Sequence, residues 1–452
     1  MSSSCALAYT PTCGPTAVGH CATAQLTRGA ERSLVIARST VLEVYSLHVV
    51  ASTAATPARE QLEGVGEARL VPTLRSELFG RIEDLAVVRL PGAARDVLLL
   101  AFADAKLSIV EVDEATLALR TRAVYSFDAL GDGVGCIEAS RPPVLRAHPQ
   151  GQCCAMLAHA SLLVVLPLRG IGGASVAPSG ATAATAAAGG GGKGAAAWWS
   201  APLPALDLAH ARELVFLNGH VDPTALVLAE PLQSWAATGS RANTCQLRAL
   251  GVDAAARETR LVWTLDGLPY DCHTLVPLPE PPGGALVLSD SALFWANQAA
   301  RYALALSSDA RCASIPLRAA PLALSLRDAA IALVTPDGAA SSSPLRAVLS
   351  TAHGDLFVLT LRTDGRGVCA IDFLRVASSV PASTICALGD ARGSTFIFLG
   401  SRVADSLLLQ LGLRAADGGR RAAAPAIGGA AKRLRADDGD GGGGDDALEE
   451  DD

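Results

Sequence analysis

The run Asp96 to Asp113, DVLLLAFADAKLSIVEVD, contains neither Gly nor Pro and is dominated by Leu, Ala and Val. Leu98, Phe102, Ala105, Ile109 and Val112 fit a helical stripe of period about 3.5. Val97 to Phe102 fits equally well a strand buried on both faces, with Lys106-Leu107-Ser108-Ile109 alternating after a turn at Ala103-Asp104-Ala105. Taken alone, the stretch leaves helix and hairpin open.

The rest of the chain repeats the pattern. Ser33-Leu34-Val35-Ile36-Ala37 is followed by Thr40-Val41-Leu42-Glu43-Val44-Tyr45, and Cys154-Ala155-Met156-Leu157 precedes Ser161-Leu162-Leu163-Val164-Val165. Ala285 to Leu288 precedes Ala292 to Trp295, Ala347 to Ser350 precedes Leu356 to Leu359, and Thr395 to Phe398 precedes Ser406 to Leu409. Each pair has hairpin length and turn chemistry. His353-Gly354-Asp355 is the clearest turn, because Gly supplies positive φ. With a weaker pair near Ala225 to Glu230, the pairs start near Leu34, Val97, Cys153, Ala225, Ala285, Ala347 and Thr395, about 60 residues apart. A third strand is expected at Leu119 to Phe127, Arg260 to Leu265 and Val368 to Leu374.

Small antiparallel sheets recurring at a fixed period predict an all-β, seven-bladed β-propeller. Its blades are longer than the ~40–45 residues of WD-repeat blades, and no Trp-Asp dipeptide occurs, so the propeller is divergent. The abundant Ala would favour a helix-rich chain, but Ala is as abundant in the low-complexity segments, which marks it as compositional bias. The propeller is expected over residues 28–413. Residues 170–197, Ala/Gly/Ser-rich, are expected to be a disordered insert, unable to bury enough side chain to offset their ordering entropy. Residues 414–452 are expected to be a disordered tail, basic and then acidic. Propellers commonly complete one blade from both chain ends. The N-terminal segment, residues 1–27, is one candidate source of the closing strand, and a portion C-terminal to this chain is the other.

Charge and cysteine content narrow the classes. The 452 residues carry a net charge of −7. The tail from Leu413 holds six basic and ten acidic residues, which leaves a body near neutrality. That is not the footprint of an autonomous nucleic-acid binder. No apolar run reaches the ~18 residues of a membrane span, and MSSSCALAYTPTCGPT lacks the charged and apolar regions of a signal peptide, so an intracellular chain is expected. Eleven cysteines, an odd number without a CxxC pair, are expected as reduced and mostly buried thiols. Cys5, Cys13, His20 and Cys21 could be drawn as a zinc site, but their spacing matches no usual ligand pattern.

Catalytic constellations are missing from the sequence: it contains no GxxxxGK[ST], HExxH or GxSxG. Gly189 to Gly194 lies in low complexity with no strand before it. His159 and His353 read as solvated turn residues, and Asp104, Asp355 and Asp405 as turn residues whose carboxylates bond local N–H groups. No catalytic, cofactor or metal site and no small-molecule substrate is expected. The tail carries a candidate address: Arg420-Arg421, ten residues, then Lys432-Arg433-Leu434-Arg435, a bipartite nuclear-import pattern that would dock an extended basic segment in an acidic receptor groove.

Several of these segments carry a resemblance. ARDVLLLAFADAKLSIVEVD, GQCCAMLAHASLLVVLPLR, ELVFLNGHVDPTALVLAEPLQSW, LVWTLDGLPYDCHTLVPLPEPPGGALVLSDSALFWANQ and FIFLGSRVADSLLLQL resemble the N-terminal propeller of the largest subunit of the cleavage and polyadenylation specificity factor. The likeness covers roughly Arg28 to Leu413, and the basic-then-acidic tail matches in kind. The damaged-DNA-binding large subunit and a splicing factor 3b subunit share the superfamily. PEPPGGALVL and FLGSRVADS occur across it, whereas FADAKLSIVEVD, Asn243-Thr244-Cys245 and WTLDGLPYDC favour the polyadenylation factor. The resemblance implies three propellers and a C-terminal helical domain, of which this chain covers the first propeller. It implies a non-catalytic nuclear scaffold for pre-mRNA 3′-end processing, holding zinc-finger and WD-repeat subunits that read AAUAAA, with pre-mRNA bound mainly through the complex. The alternatives are a damaged-DNA-binding-type adaptor in a cullin ubiquitin ligase, a splicing factor 3b-like scaffold, and an RNA-binding module in its own right.

Overall fold

A computed structural model describes residues 14–28, 32–50, 67–103, 105–127, 142–158, 162–169, 171, 198–231, 243–320, 322–334, 344–365, 367–389, 394–412 and 426–428. Among them there is one short 3-10 turn, Leu203–Leu206, and no α-helix. The strands form seven sheets arranged as the blades of a propeller. Blade 1 contains β1 (His20–Ala24), β2 (Ser33–Arg38), β3 (Val41–Val50) and β4 (Glu67–Glu77). Blade 2 contains β5 (Ile82–Arg89), β6 (Asp96–Phe102), β7 (Lys106–Asp113) and β8 (Ala118–Ser126). Blade 3 contains β9 (Val144–Ala147), β10 (Cys153–Ala158), β11 (Leu162–Pro167) and β12 (Trp199–Pro202). Blade 4 contains β13 (Ala211–Phe216), β14 (Thr224–Ala229), β15 (Cys245–Asp253) and β16 (Glu258–Leu268). Blade 5 contains β17 (Thr274–Pro277), β18 (Ala285–Leu288), β19 (Ala292–Ala296), β20 (Arg301–Ala305) and a fifth, parallel strand β21 (Arg318–Ala319). Blade 6 contains β22 (Ala330–Val334), β23 (Leu345–Ser350), β24 (Asp355–Thr363) and β25 (Val368–Ser378). Blade 7 contains β26 (Thr384–Gly389), β27 (Thr395–Gly400), β28 (Leu407–Gly412) and β29 (Ala426–Gly428).

The first strand of each blade faces the central axis. β1 meets β5 and β26, β9 meets β5 and β13, and β13 meets β17. The sequence-legible pairs are the second and third strands, which explains their composition. β6 packs Val97, Leu99 and Ala101 toward blade 3, and Leu98 and Leu100 toward blade 1. A strand sandwiched between two neighbouring blades has no solvent face, so its apolar run is continuous. The helical stripe of the opening run is therefore split between two cores. β6 and β7 pair antiparallel from Leu98↔Val110 to Phe102↔Lys106. Asp104, at the turn itself, lies outside the described residues, as do His159 and residues 172–197.

The core is a set of inter-blade layers rather than one central mass. Each pair of adjacent blades shares a buried apolar cluster, including blades 7 and 1. Each buried Leu, Val or Phe contributes about 1.5–3 kcal/mol relative to exposure. Trp295 is wholly buried between blades 5 and 6, where its indole N–H donates to the Gly283 carbonyl at 3.0 Å, so no polar atom is stranded there.

The described strands reach beyond residues 28–413. β1 falls within the N-terminal segment, yet it pairs with the adjacent β2 (His20↔Ala37 to Ala24↔Ser33) as the inner strand of blade 1. β29 falls in the tail expected to be disordered, and pairs with the exposed edge of β28 at Gln410, Leu411 and Gly412. An unpaired edge has open N–H and C=O groups, and three residues of Ala-Ile-Gly satisfy part of it. Every described sheet is thus built from strands consecutive in the chain, and none mixes the two ends. Among the described residues, blades 1 and 7 meet through their inner strands β1 and β26.

Candidate functional site

The central channel carries charged side chains from several blades. A cavity of about 540 Å³ is lined by inner-strand residues of blades 3 to 7, among them Arg146, Glu213, Thr274, Ile331 and Thr384. At its rim three blades are joined by one ionic relay, and a histidine of a fourth lies beside it. Arg146 of β9 donates from Nη1 to Asp84 Oδ2 of β5 at 2.7 Å, and from Nη2 to Glu213 Oε1 of β13 at 2.8 Å. His20 Nδ1 of β1 lies 3.6 Å from Asp84 Oδ1. Backbone N–H groups complete both carboxylates: Leu145 donates to Asp84 Oδ2 and Leu85 to Asp84 Oδ1, each at 2.8 Å, and Leu214 donates to Glu213 Oε1 at 3.1 Å.

Burial perturbs this group. Desolvation pushes the Glu213 carboxyl above its ordinary range, against the pull of Arg146. Desolvation also lowers the His20 imidazole, against the pull of Asp84. Perturbed groups in a channel raise the question of catalysis. Here Arg146 is committed to two carboxylates, and no Ser or Cys nucleophile takes part in the relay. Its chemistry is that of a strut between blades. Arg212, the neighbour of Glu213 along β13, makes a second strut between blades 4 and 5. It pairs with the wholly buried Glu230, which also accepts from Thr244 Oγ1 at 2.6 Å, and it donates to the Cys272 carbonyl at 2.7 Å.

The loops offer contact surface. Phe79, Val221 and Val403 are large apolar side chains left largely in solvent, and Tyr270 is about half exposed. Strand polarity places Phe79 (between β4 and β5), Tyr270 (between β16 and β17) and Val403 (between β27 and β28) on one face of the ring, and Val221 (between β13 and β14) on the other.

The residues singled out by sequence fall as follows. Arg420, Arg421, Lys432, Arg433 and Arg435 lie outside the described residues. So do Cys5 and Cys13 of the drawn zinc cluster, and its other two members go to different partners: His20 to Asp84, Cys21 to Thr384. Among the described residues no group of three or more His, Cys, Asp or Glu could hold a metal ion. The eight described cysteines are free thiols; five are buried and Cys369 is exposed. Asp355 serves its turn's strand end, accepting from Ser378 Oγ at 2.7 Å and Arg375 at 2.6 Å. The relay itself went unread in the sequence. Its signal is a charge at the third position of the strand that opens a blade, in Ile82-Glu83-Asp84, Val144-Leu145-Arg146 and Ala211-Arg212-Glu213.

Comparison with known proteins agrees with this ring. The family model described as the RSE1/DDB1/CPSF1 first beta-propeller matches residues 17–434, from just before β1 to beyond β29. The chain belongs to this family. As a first propeller it is 32% identical over 395 residues to cleavage and polyadenylation specificity factor subunit 1 of Drosophila melanogaster, covering 84% of this chain and 26% of that protein. The protein of the same name in Arabidopsis thaliana is 30% identical over 401 residues, covering 85% and 27%. Protein CFT1 of Coccidioides immitis is 26% identical over 443 residues, covering 89% and 31%. The chain therefore spans about a quarter to a third of the length of the curated relatives it matches.

Proposed function

We propose that the chain acts as a non-catalytic scaffold propeller in nuclear pre-mRNA 3′-end cleavage and polyadenylation, organising the subunits that recognise AAUAAA. The similarity that carries this reading is the 30–32% identity, over more than four fifths of the chain, to relatives named cleavage and polyadenylation specificity factor subunit 1. The channel supports it: its central cation, Arg146, is neutralised by Asp84 and Glu213 and is not free for a phosphate. Exposed apolar loop residues such as Phe79 and Val403 suit protein partners better than RNA. In this reading pre-mRNA is held mainly through the zinc-finger and WD-repeat subunits, and Arg420, Arg421, Lys432, Arg433 and Arg435 bring the chain to the nucleus.

Affinity purification of the tagged full chain from nuclear extract tests the proposal. Zinc-finger and WD-repeat polyadenylation subunits should co-purify. Recovery of a cullin, or of splicing factor 3b subunits, in their place would replace this reading with one of the other roles in the family. Labelled AAUAAA RNA should bind the reconstituted complex and not the chain alone at moderate salt.

A further inference from the structure

The seam between blades 1 and 7 is where the ring closes without a shared sheet, and two thiols meet there. Val18 N–H donates to the Ser401 carbonyl at 3.0 Å, and Ser383 Oγ donates to the Val18 carbonyl at 2.8 Å. Behind these bonds, Val18, Leu34 and Ile36 pack on Cys386, Leu388, Phe396 and Phe398. Inner strands β1 and β26 present matched residues to each other: Cys21 and Thr23 from one, Thr384 and Cys386 from the other. Alternation puts each pair on one face of its strand. Cys21 Sγ and Thr384 Oγ1 are hydrogen bonded at 3.2 Å across 363 positions of chain. Cys386 lies two residues on from Thr384 on the same face of β26, in the apolar cluster against which Cys21 packs. The two cysteines therefore meet in one cluster, on the first strand of the ring and the first strand of its last blade.

We propose that Cys21 and Cys386 form an oxidant-responsive lock on this seam, thiols at rest and a disulfide after exposure to a peroxide. Cys21 is the half-buried member and the one an oxidant can reach; Cys386 is buried. The Cys21 sulfur attacks hydrogen peroxide, so an S–O bond forms, the O–O bond breaks, and the departing hydroxide takes up the Cys21 proton as water. Cys386 then attacks the sulfenic sulfur. The S–S bond forms, the S–O bond breaks, and the second hydroxide leaves with the Cys386 proton as water. Two thiols and one peroxide give one disulfide and two waters. The neighbouring Cys21, followed by burial, holds the Cys386 thiol well above the ordinary range, so the second step is the slow one. In a reducing compartment both groups stay thiols. Oxidation would turn a non-covalent closure into a covalent one.

The experiment treats the full chain with hydrogen peroxide, blocks remaining thiols under denaturing conditions, and digests with trypsin without reduction. The expected product links the peptide ending at Arg28 to the peptide Val376–Arg392, whose one cysteine is Cys386. Fragmentation must place the bond on Cys21, since Cys5 and Cys13 share its peptide. The thermal midpoint should rise on the order of 5 °C and return with dithiothreitol. Cys386→Ser should abolish the link, whereas Cys369→Ser should keep it. The proposal is overturned if both thiols remain alkylatable after peroxide, if Cys21 ends as a sulfinic acid beside an intact Cys386 thiol, or if the bond falls on Cys5 or Cys13.

Discussion

Arg146 shows what a single residue can hold in this ring. It is the one cation between two carboxylates from neighbouring blades, and its side chain remains 32% exposed to the channel. Removing one partner of an enclosed ion pair costs about 3–5 kcal/mol, because the other charge is left buried. Channel water screens part of that here, so Arg146→Ala should cost about 2–3 kcal/mol in denaturant unfolding. A triple Asp84→Asn, Glu213→Gln, Arg146→Met variant should recover part of the loss, since it removes the stranded charges along with their partner. A triple no more stable than Arg146→Ala would show that the relay contributes packing and not charge balance. The histidines make a second statement. Desolvation lowers His20, His148 and His273 below their ordinary value of 6.5. A depressed folded value means that stability is complete above pH 6.5 and is lost as pH falls through the lower folded value. Around His20 the charges are Asp84 and Glu83, which oppose the shift, and Arg402 and Arg146, which reinforce it. Glu213, raised by burial, works the other way and softens the loss at the acid end. Thermal midpoints should fall from pH 7.5 to 5.5, and His20→Gln should flatten that slope; an unchanged slope would clear His20 of the effect.

At the scale of elements, legibility follows burial. The second and third strands of each blade are pressed between neighbours and read as continuous apolar runs, as in Ala225–Ala229 and Phe294-Trp295. The inner strands face a channel, so they mix apolar positions with small, polar or charged ones. His20–Ala24 is half-buried over four of five positions, and Ala330–Val334 likewise. The relay hides for the same reason: Asp84, Arg146 and Glu213 lie more than 60 positions apart, and only closure of the ring brings them together. Turn chemistry was more transparent. Gly354 has φ +85, and a Cβ there would lie 2.0 Å from the Ser379 carbonyl oxygen. Gly365 has a similar φ of +87 with nothing within 4 Å. Gly365→Ala should therefore cost only the left-handed backbone penalty of about 1–2 kcal/mol. Gly354→Ala adds a backbone clash and should cost measurably more in the same denaturant titration. Equal costs would mean that the β24–β25 edge yields freely at Ser379.

For the whole molecule, closure by docking makes β1 and β29 unequal. β1 supplies the inner edge of blade 1 and contributes to both of its interfaces: Ala24 packs into the layer with blade 2, and Cys21 packs against the layer with blade 7. β29 covers three residues of β28 at the outer edge of blade 7, where the ring is already complete. Outer edges are short or irregular elsewhere too: β12 has four residues and β21 two. Inner strands are the members through which adjacent blades meet around the axis. Deleting residues 1–24 strips one such member and leaves Leu34, Ile36, Phe396 and Phe398 without their cover. Losing even two or three fully buried apolar contacts at about 1.5–3 kcal/mol each exceeds much of the 5–15 kcal/mol by which a domain is stable. That truncation should abolish the single cooperative melt seen by circular dichroism and open blades 1 and 7 to limited proteolysis. Ending the chain at Gly412 removes only β29 and should lower the midpoint by a few degrees while keeping one transition. If both truncations melt alike, the seam is not what holds the ring, and the inter-blade layers of the other six interfaces suffice without it.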